Sequence, residues 1–365
     1  MKDHQHHEKQ YYFNFLSTRN LLIIFPPTNT IHLSNLQIQT LLSPTPQFDN
    51  PDDVTKKDIL GCSNGLLLSR QNRVYSVTNP ITKNRLQLAS LPPFTSQNRR
   101  DRALEGFVCE PYYRVEGNTN RVIINLDPPR FKVVRVPYFD GTANQFLYGV
   151  TKYEFEVVAF SSETGQWSTK MVSCPKGFTQ INLWEPAVAH EGKLYFMGKT
   201  NVAVYDPFNN EERCDTIDYP INLYQRGVPG RCHVGVCCGK IRICALCLAT
   251  TTPTGPVETR ISVWELEHNL GWRLVHSTYL PRVRMKECIR PELGRVRAVD
   301  LVGTGTHVRG FHPLHGDVVF FQYFHRIFVG NLKTNQFETV GYGIHSLQSI
   351  SFHQPCWPTP LSSIL

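Results

Sequence analysis

A chain of 365 residues with 41% hydrophobic content can bury a large core, and with only 19% charged residues it lacks the composition of a disordered protein. No apolar run reaches the roughly 18 to 20 residues that a membrane-spanning helix needs, so no membrane span is predicted. The formal net charge of +8, from 38 Lys+Arg against 30 Asp+Glu, is a mild excess that suits an acidic partner without requiring a nucleic acid.

In chain order, residues 1–20 read as a flexible polar tail, and residues 21–365 as one β domain. His4, His6 and His7 have no further fixed ligands beside them, so no metal is assigned there. The tail also lacks the charged-then-apolar order of a secretory leader. The 11 cysteines are odd in number and scattered, which predicts reduced thiols and a cytoplasmic or nuclear protein.

The first predicted hairpin joins Leu21–Phe25 to Thr30–Leu33 across Pro26 to Asn29. Next, Gly61-Cys62-Ser63-Asn64-Gly65 satisfies the G-x-S-x-G form of a hydrolase nucleophile elbow, which requires a helix after the serine. Here Leu66-Leu67-Leu68 follows as a strand and runs into a turn at Gln71-Asn72, so Ser63 reads as a turn residue and not as a nucleophile.

Gly65 also opens a repeat, in which a Gly, an apolar strand, a polar turn and a second apolar strand lead to Asn, Asp or Glu. The first copy ends at Val74-Tyr75-Ser76-Val77 and Asn79, and the second runs from Gly192 through Leu194-Tyr195-Phe196 and Val202–Tyr205 to Asp206. A third runs from Gly239 through Ile241-Arg242-Ile243 to Ile261–Glu265, and a fourth from Gly316 through Val318–Phe321 to Ile327–Asn331. Phe131–Val136 with Tyr153–Phe160, and the hairpin at Leu21, complete a set of about six.

Two stretches invite other chemistry. The segment Cys232-His233, Cys237-Cys238, Cys244 and Cys247 counts like a zinc site. Strand geometry opposes it, because side chains at i and i+3 point to opposite faces about 10 Å apart and cannot share one tetrahedral ion. Arg282 to Arg297 holds Arg282, Arg284, Lys286, Arg290, Arg295 and Arg297 against Glu287 and Glu292, with no aromatics to stack on bases, so nucleic-acid binding is not expected. Trp167, Trp264 and Trp357 are expected to be largely buried.

Lone hairpins cannot bury their apolar faces, so strand pairs recurring along the chain predict small sheets stacked side by side. The fold class is all-β, an irregular β-propeller-like array of hairpins, with a two-sheet β-sandwich as the alternative. No Walker loop, His-Glu-x-x-His pair or dinucleotide-binding Gly motif is present, and neither catalytic residues nor cofactors are assigned.

Gly61-Cys62-Ser63-Asn64-Gly65-Leu66-Leu67-Leu68, Tyr75 to Lys83 with its Asn79-Pro80-Ile81-Thr82, and Leu91-Pro92-Pro93 resemble the associated domain of plant F-box proteins, a kelch- or propeller-like module. Phe131 to Arg135, Phe155 to Trp167 and Trp357-Pro358-Thr359-Pro360 continue the resemblance in the same order. It implies a non-catalytic module that binds a protein target for a cullin-based ubiquitin ligase. The helical F-box that docks on the ligase adaptor has no counterpart in Met1 to Arg19, so adaptor binding is expected only through an F-box outside this chain. A propeller-fold enzyme, an oxidase or a glycan-acting protein with loop-borne catalytic groups, is the alternative from another class.

Overall fold

The computed structural model describes residues 13–16, 21–25, 37–40, 58–71, 73–79, 84–93, 103–111, 113–116, 121–124, 130–139, 150–180, 186–220, 232–250, 257–267, 271–280, 285–290, 295–299, 306–312, 315–323, 326–342 and 350–353. Among the described residues, apolar runs separated by Gly, Asn, Asp and Pro form strands, all but two hairpins of which are arranged as six four-stranded blades.

One blade comes from both ends of the described chain. Strands β1 (Phe13–Leu16), β2 (Leu21–Phe25) and β3 (Gln37–Thr40) pair in order, and the last strand, β28 (Ile350–His353), adds to the free edge of β1. Phe13–Leu16 is therefore strand, although it lies inside the stretch read as a polar tail. Strand β2 pairs with Gln37–Thr40 and not with Thr30–Leu33, which lies outside the described residues.

The second blade holds β4 (Asp58–Ser63), β5 (Leu66–Gln71), β6 (Val74–Thr78) and β7 (Arg85–Gln87). In the third, β8 (Ala103–Cys109) is separated from its partner by a small hairpin, β9 (Tyr113–Glu116) and β10 (Arg121–Ile124), before β11 (Phe131–Pro137), β12 (Thr151–Ser161) and β13 (Gln166–Thr179). The fourth runs β14 (Val188–His190), β15 (Lys193–Met197), β16 (Asn201–Asp206) and β17 (Asn210–Asp218). The fifth has β18 (Cys232–Cys237), β19 (Lys240–Thr250), β20 (Val257–Leu266) and β21 (Trp272–Tyr279). A separate hairpin of β22 (Met285–Arg290) and β23 (Arg295–Val299) precedes the sixth blade, made of β24 (Thr306–Phe311), β25 (Val318–Tyr323), β26 (Arg326–Asn331) and β27 (Gln336–Tyr342).

The first strands of the blades, β4, β8, β14, β18, β24 and β28, stand side by side in that order, and β28 returns to β4. That closes the ring with a sheet shared between early and late chain, which leaves no open edge at its centre. Strands β13 and β17 touch through one parallel bridge, Ser173 to Arg213, which fuses two blades into a continuous eight-stranded sheet.

The core lies between blades. Leu66, Leu68, Tyr75 and Val77 pack on Phe107, Phe131, Val133 and Phe160 of the next blade. Val134, Val157, Val172 and Phe178 of that blade pack on Leu194, Phe196, Ala203 and Tyr205. Tyr195 and Val202, on the opposite face of the same strands, pack on Val234, Ile241 and Ile243. Cys244, Leu246, Ile261 and Val263 then meet Phe311, Val319, Phe321 and Phe328. Both faces of these sheets are covered, which is the propeller arrangement. A two-sheet sandwich would leave the outer face of each sheet to solvent and does not describe it.

Crowding at the inner strands explains their glycines. A Cβ on Gly106 would lie 2.8 Å from Leu194, and one on Gly235 would lie 2.9 Å from Phe311, each in the neighbouring blade. Trp167 and Trp264 are partly exposed and not fully buried, and Trp357 lies outside the described residues. Trp167 packs edge-on against Tyr75 and Phe160 and donates its indole N–H to the Ala89 carbonyl at 2.9 Å, after β7 of the preceding blade. Trp272 repeats this with the Asp218 carbonyl at 2.8 Å. An indole at this junction covers the seam with its ring while its polar end finds a carbonyl, so complete burial is not needed.

Candidate functional site

The residues that suggested chemistry have structural partners. Ser63 ends β4, and Asn64-Gly65 turns the chain straight into β5, so no helix follows it. Its hydroxyl oxygen accepts from the Cys109 backbone N–H at 3.0 Å, joining two inner strands. Cys232 and Cys237 sit on β18, and Cys244 and Cys247 on β19, where alternation sends the last two to opposite faces. Among the described residues no group of three or more His, Cys, Asp or Glu side chains is placed to hold a metal ion. His4, His6 and His7 lie outside the described residues.

Cys237 and His312 come together at the junction of two blades, the thiol donating to the His312 carbonyl at 3.0 Å. Burial pushes the Cys237 thiol up to about 12. Burial and then the neighbouring His315 hold His312 down at about 3. Both shifts oppose a thiolate–imidazolium pair, and the contact between the two residues runs through the His312 backbone carbonyl and not its ring.

Two buried ion networks were not foreseen. Glu105 on β8 is 5% exposed and meets Arg135 of β11 at 3.3 Å, Arg70 of the preceding blade at 2.7 Å, and the Tyr75 hydroxyl, which donates to it. Burial and the Glu105 charge raise the Tyr75 phenol above its usual range. Glu265 on β20 accepts from Lys240 at 2.7 Å, Arg242 at 2.6 Å and Arg273 at 2.8 Å. Arg242 also donates to the Gly316 carbonyl of the next blade at 2.7 Å. Burial alone would raise the Glu265 carboxyl, but hydrogen bonds and charge from Lys240 and Arg242 outweigh it and hold it at about 2. The sequence signal for both is an Arg within a run of β-branched residues, Val133-Val134-Arg135-Val136 and Ile241-Arg242-Ile243. These networks tie strands and blades together.

The two ends of the ring differ. Since strands alternate in direction, the connections after the first and third strands of each blade lie at one end, and those after the second and fourth at the other. At the first end, Asn64-Gly65, Glu191-Gly192 and Cys238-Gly239 close hairpins in two residues, all six at positive φ, as a type I′ turn requires. These turns crowd the inner strands' ends, with Asn64 donating to the Glu110 carbonyl at 2.9 Å and Gly192 against Pro111. The β9–β10 hairpin and the eleven-residue connection 26–36 are the longer connections at this end.

The other end carries the connections 41–57, 88–102, 138–150, 219–231 and 280–305. Of the five large apolar side chains that stand exposed among the described residues, three sit where strands meet this end: Val74 at 38%, Tyr153 at 63% and Tyr279 at 45%. Tyr153 and Tyr279 thus stand exposed where strands reach the end of the ring from which these connections leave.

The family comparison agrees with the architecture. A family model described as "F-box protein At3g26010-like, beta-propeller" matches residues 22–354. No curated protein sequence matches the chain. Among solved structures, a eukaryotic initiation factor is 11% identical, with 93% of this chain covering 62% of that one at a TM-score of 0.30. U3-55K is 9% identical over 96% of this chain and 83% of that one, at a TM-score of 0.34. Apo AztD from Citrobacter koseri is 9% identical over 95% and 99%, at a TM-score of 0.32. With a family match running through all six blades, the chain belongs to the F-box protein At3g26010-like β-propeller family.

Proposed function

We propose that this propeller is a non-catalytic recognition module that binds a protein partner on its long-connection face. In a chain that also carries an F-box, it would present that partner to a cullin-based ubiquitin ligase in the cytoplasm or nucleus. The observation that supports this most is the concentration of long connections and of the exposed Val74, Tyr153 and Tyr279 at one end of the ring. Tyrosine suits the role because it offers a large rigid contact with a polar tip at small entropic cost.

Affinity capture with quantitative mass spectrometry tests the reading. Tyr153→Ala combined with Tyr279→Ala should reduce recovery of specific partners at least about tenfold, the effect of losing two interface tyrosines worth about 1 kcal/mol or more each. Leu274→Ala, an equally exposed apolar residue near the start of β21 at the short-turn end, should leave recovery unchanged. Loss with Leu274→Ala and retention with the tyrosine pair would place binding on the other face.

A further inference from the structure

Two cysteines meet where the third and fourth blades are joined. The parallel bridge between β13 and β17 pairs Ser173 with Arg213, and the next residue on each strand is a cysteine, Cys174 and Cys214. Alternation turns both side chains to the face opposite Ser173 and Arg213. There both residues are buried, 0% and 1% exposed, in the apolar cluster that holds Val172, Phe178 and Tyr205. Neighbouring strands run about 4.8 Å apart, inside the range of about 4.4–6.8 Å that a disulfide asks of its two Cα atoms. The seam is fixed on both sides of the pair. Glu211 bridges to Lys132 and Lys170 on one side, and Asn201 donates to the Gly177 carbonyl at 3.0 Å on the other.

Cys174 also opens a wide bulge. Ser173 lies opposite Glu154 and Phe178 opposite Lys152, so Cys174, Pro175, Lys176 and Gly177 stand against Tyr153 alone. Pro175 and Lys176 are exposed, and Pro175 has no N–H to give to a ladder. A small oxidant therefore reaches Cys174 when this short stretch opens, with the blade itself intact. Hydrogen bonds from Cys214 and then from the Gly177 backbone outweigh burial and hold the Cys174 thiol below its ordinary value. The same contact with Cys174, together with burial, pushes the Cys214 thiol up. Cys174 is thus the attacking sulfur and Cys214 the one that resolves.

We infer that Cys174 and Cys214 are a redox-sensitive pair that hydrogen peroxide converts to a disulfide, stapling the third blade to the fourth. The Cys174 thiolate attacks one peroxide oxygen; the S–O bond forms, the O–O bond breaks, and the departing hydroxide takes up the proton that Cys174 gave, leaving as water. Cys214 then attacks the Cys174 sulfur; the S–S bond forms, the S–O bond breaks, and the sulfenic oxygen leaves with the Cys214 proton as a second water. Two thiols and one peroxide yield one disulfide and two waters, and a dithiol reductant reverses the change. The cross-link closes the chain between 174 and 214 and pins two outer strands that share one bridge.

The full chain, reduced and then treated with hydrogen peroxide, is digested with trypsin in the absence of reductant. Cleavage after Lys170, Lys176, Arg213 and Arg226 leaves each cysteine alone in its peptide, 171–176 and 214–226. These two should appear joined as the main cross-linked species and separate again with dithiothreitol. Cys214→Ala should trap Cys174 as a sulfenic acid that dimedone labels, while Cys174→Ala should leave Cys214 unlabelled. Oxidation should raise the thermal midpoint of wild type by about 2 °C or more relative to Cys214→Ala treated in the same way, and the reductant should remove that gain. Exposed Cys238 reports when the peroxide has acted. If the alanine variants lose their fold, the wild-type peptide map and its reversal carry the test. Cys174 and Cys214 still reduced once Cys238 is fully oxidised, either of them joined chiefly to another cysteine, or a cross-link that leaves the midpoint difference unchanged would each overturn the inference.

Discussion

Arg135→Met should destabilise the propeller by about 3–5 kcal/mol in urea unfolding, because it leaves the Glu105 carboxylate buried after its most enclosed cation is gone. Arg135 is 1% exposed and lies over the Tyr75 ring at 5.7 Å, so its side chain also fills space that methionine only partly restores. Arg70 and Tyr75 still reach the same Glu105 oxygen in the variant, yet Arg70 is 28% exposed and its charge is screened by solvent where that of Arg135 is not. The double variant Arg135→Met with Glu105→Leu should recover at least about half of the loss, since a buried pair replaced by apolar groups of similar size is often close to neutral. A single-variant loss below about 1 kcal/mol would show that the network is solvated and that these two blades are held by apolar contact alone.

Acid should expose the second network. The Glu265 carboxyl is held at about 2, below the ordinary 4.5, so in the folded state it is a stronger acid than in the unfolded chain. Its contribution is complete above the unfolded value and is lost as pH falls from about 4.5 through 2, amounting to about 3 kcal/mol. Wild type and Glu265→Gln should therefore differ most near pH 7 and converge as pH approaches 2. Chemical denaturation at a series of pH values measures this directly. A difference that stays constant across the range would mean that Glu265 keeps its ordinary acidity in the fold. Glu211, bridged to Lys132 and Lys170, is also held below its ordinary value and adds to acid sensitivity in the same direction.

Much of the ring was legible because the repeat coincides with the second and third strands of five of the six blades. Leu66–Val77, Leu194–Tyr205, Ile241–Glu265 and Val318–Asn331 lie on such pairs, which are buried on both faces and read as apolar runs. The flanking strands were less visible. Asn210–Asp218, with its Asn-Glu-Glu-Arg, is an outer strand whose charged residues face solvent or, like Glu211, lysines of the neighbouring blade, and Val188–His190 is an inner strand too short to show a period. The partner of Leu21–Phe25 was misplaced because Thr30–Leu33 offers the nearer apolar run, whereas the register that forms uses the more polar Gln37–Thr40.

Among the stretches that suggested a site, the basic run at Arg282 to Arg297 includes 282–284 and 291–294, which lie outside the described residues. Trp272 was passed over for Trp264, since nothing local distinguishes a seam-covering indole from one within a strand. The ion networks bring together Arg70 with Glu105 and Arg242 with Gly316, residues far apart in sequence that meet only when blades stack.

Amide hydrogen exchange on the protein alone and bound to a captured partner tests the placement of recognition most directly. Binding should add protection in 88–102, 138–150, 219–231 and 280–305 and around Tyr153 and Tyr279, with Asn64-Gly65, Glu191-Gly192 and Cys238-Gly239 unchanged. Protection concentrated at those two-residue turns and at the β9–β10 hairpin, with the long connections unchanged, would contradict it.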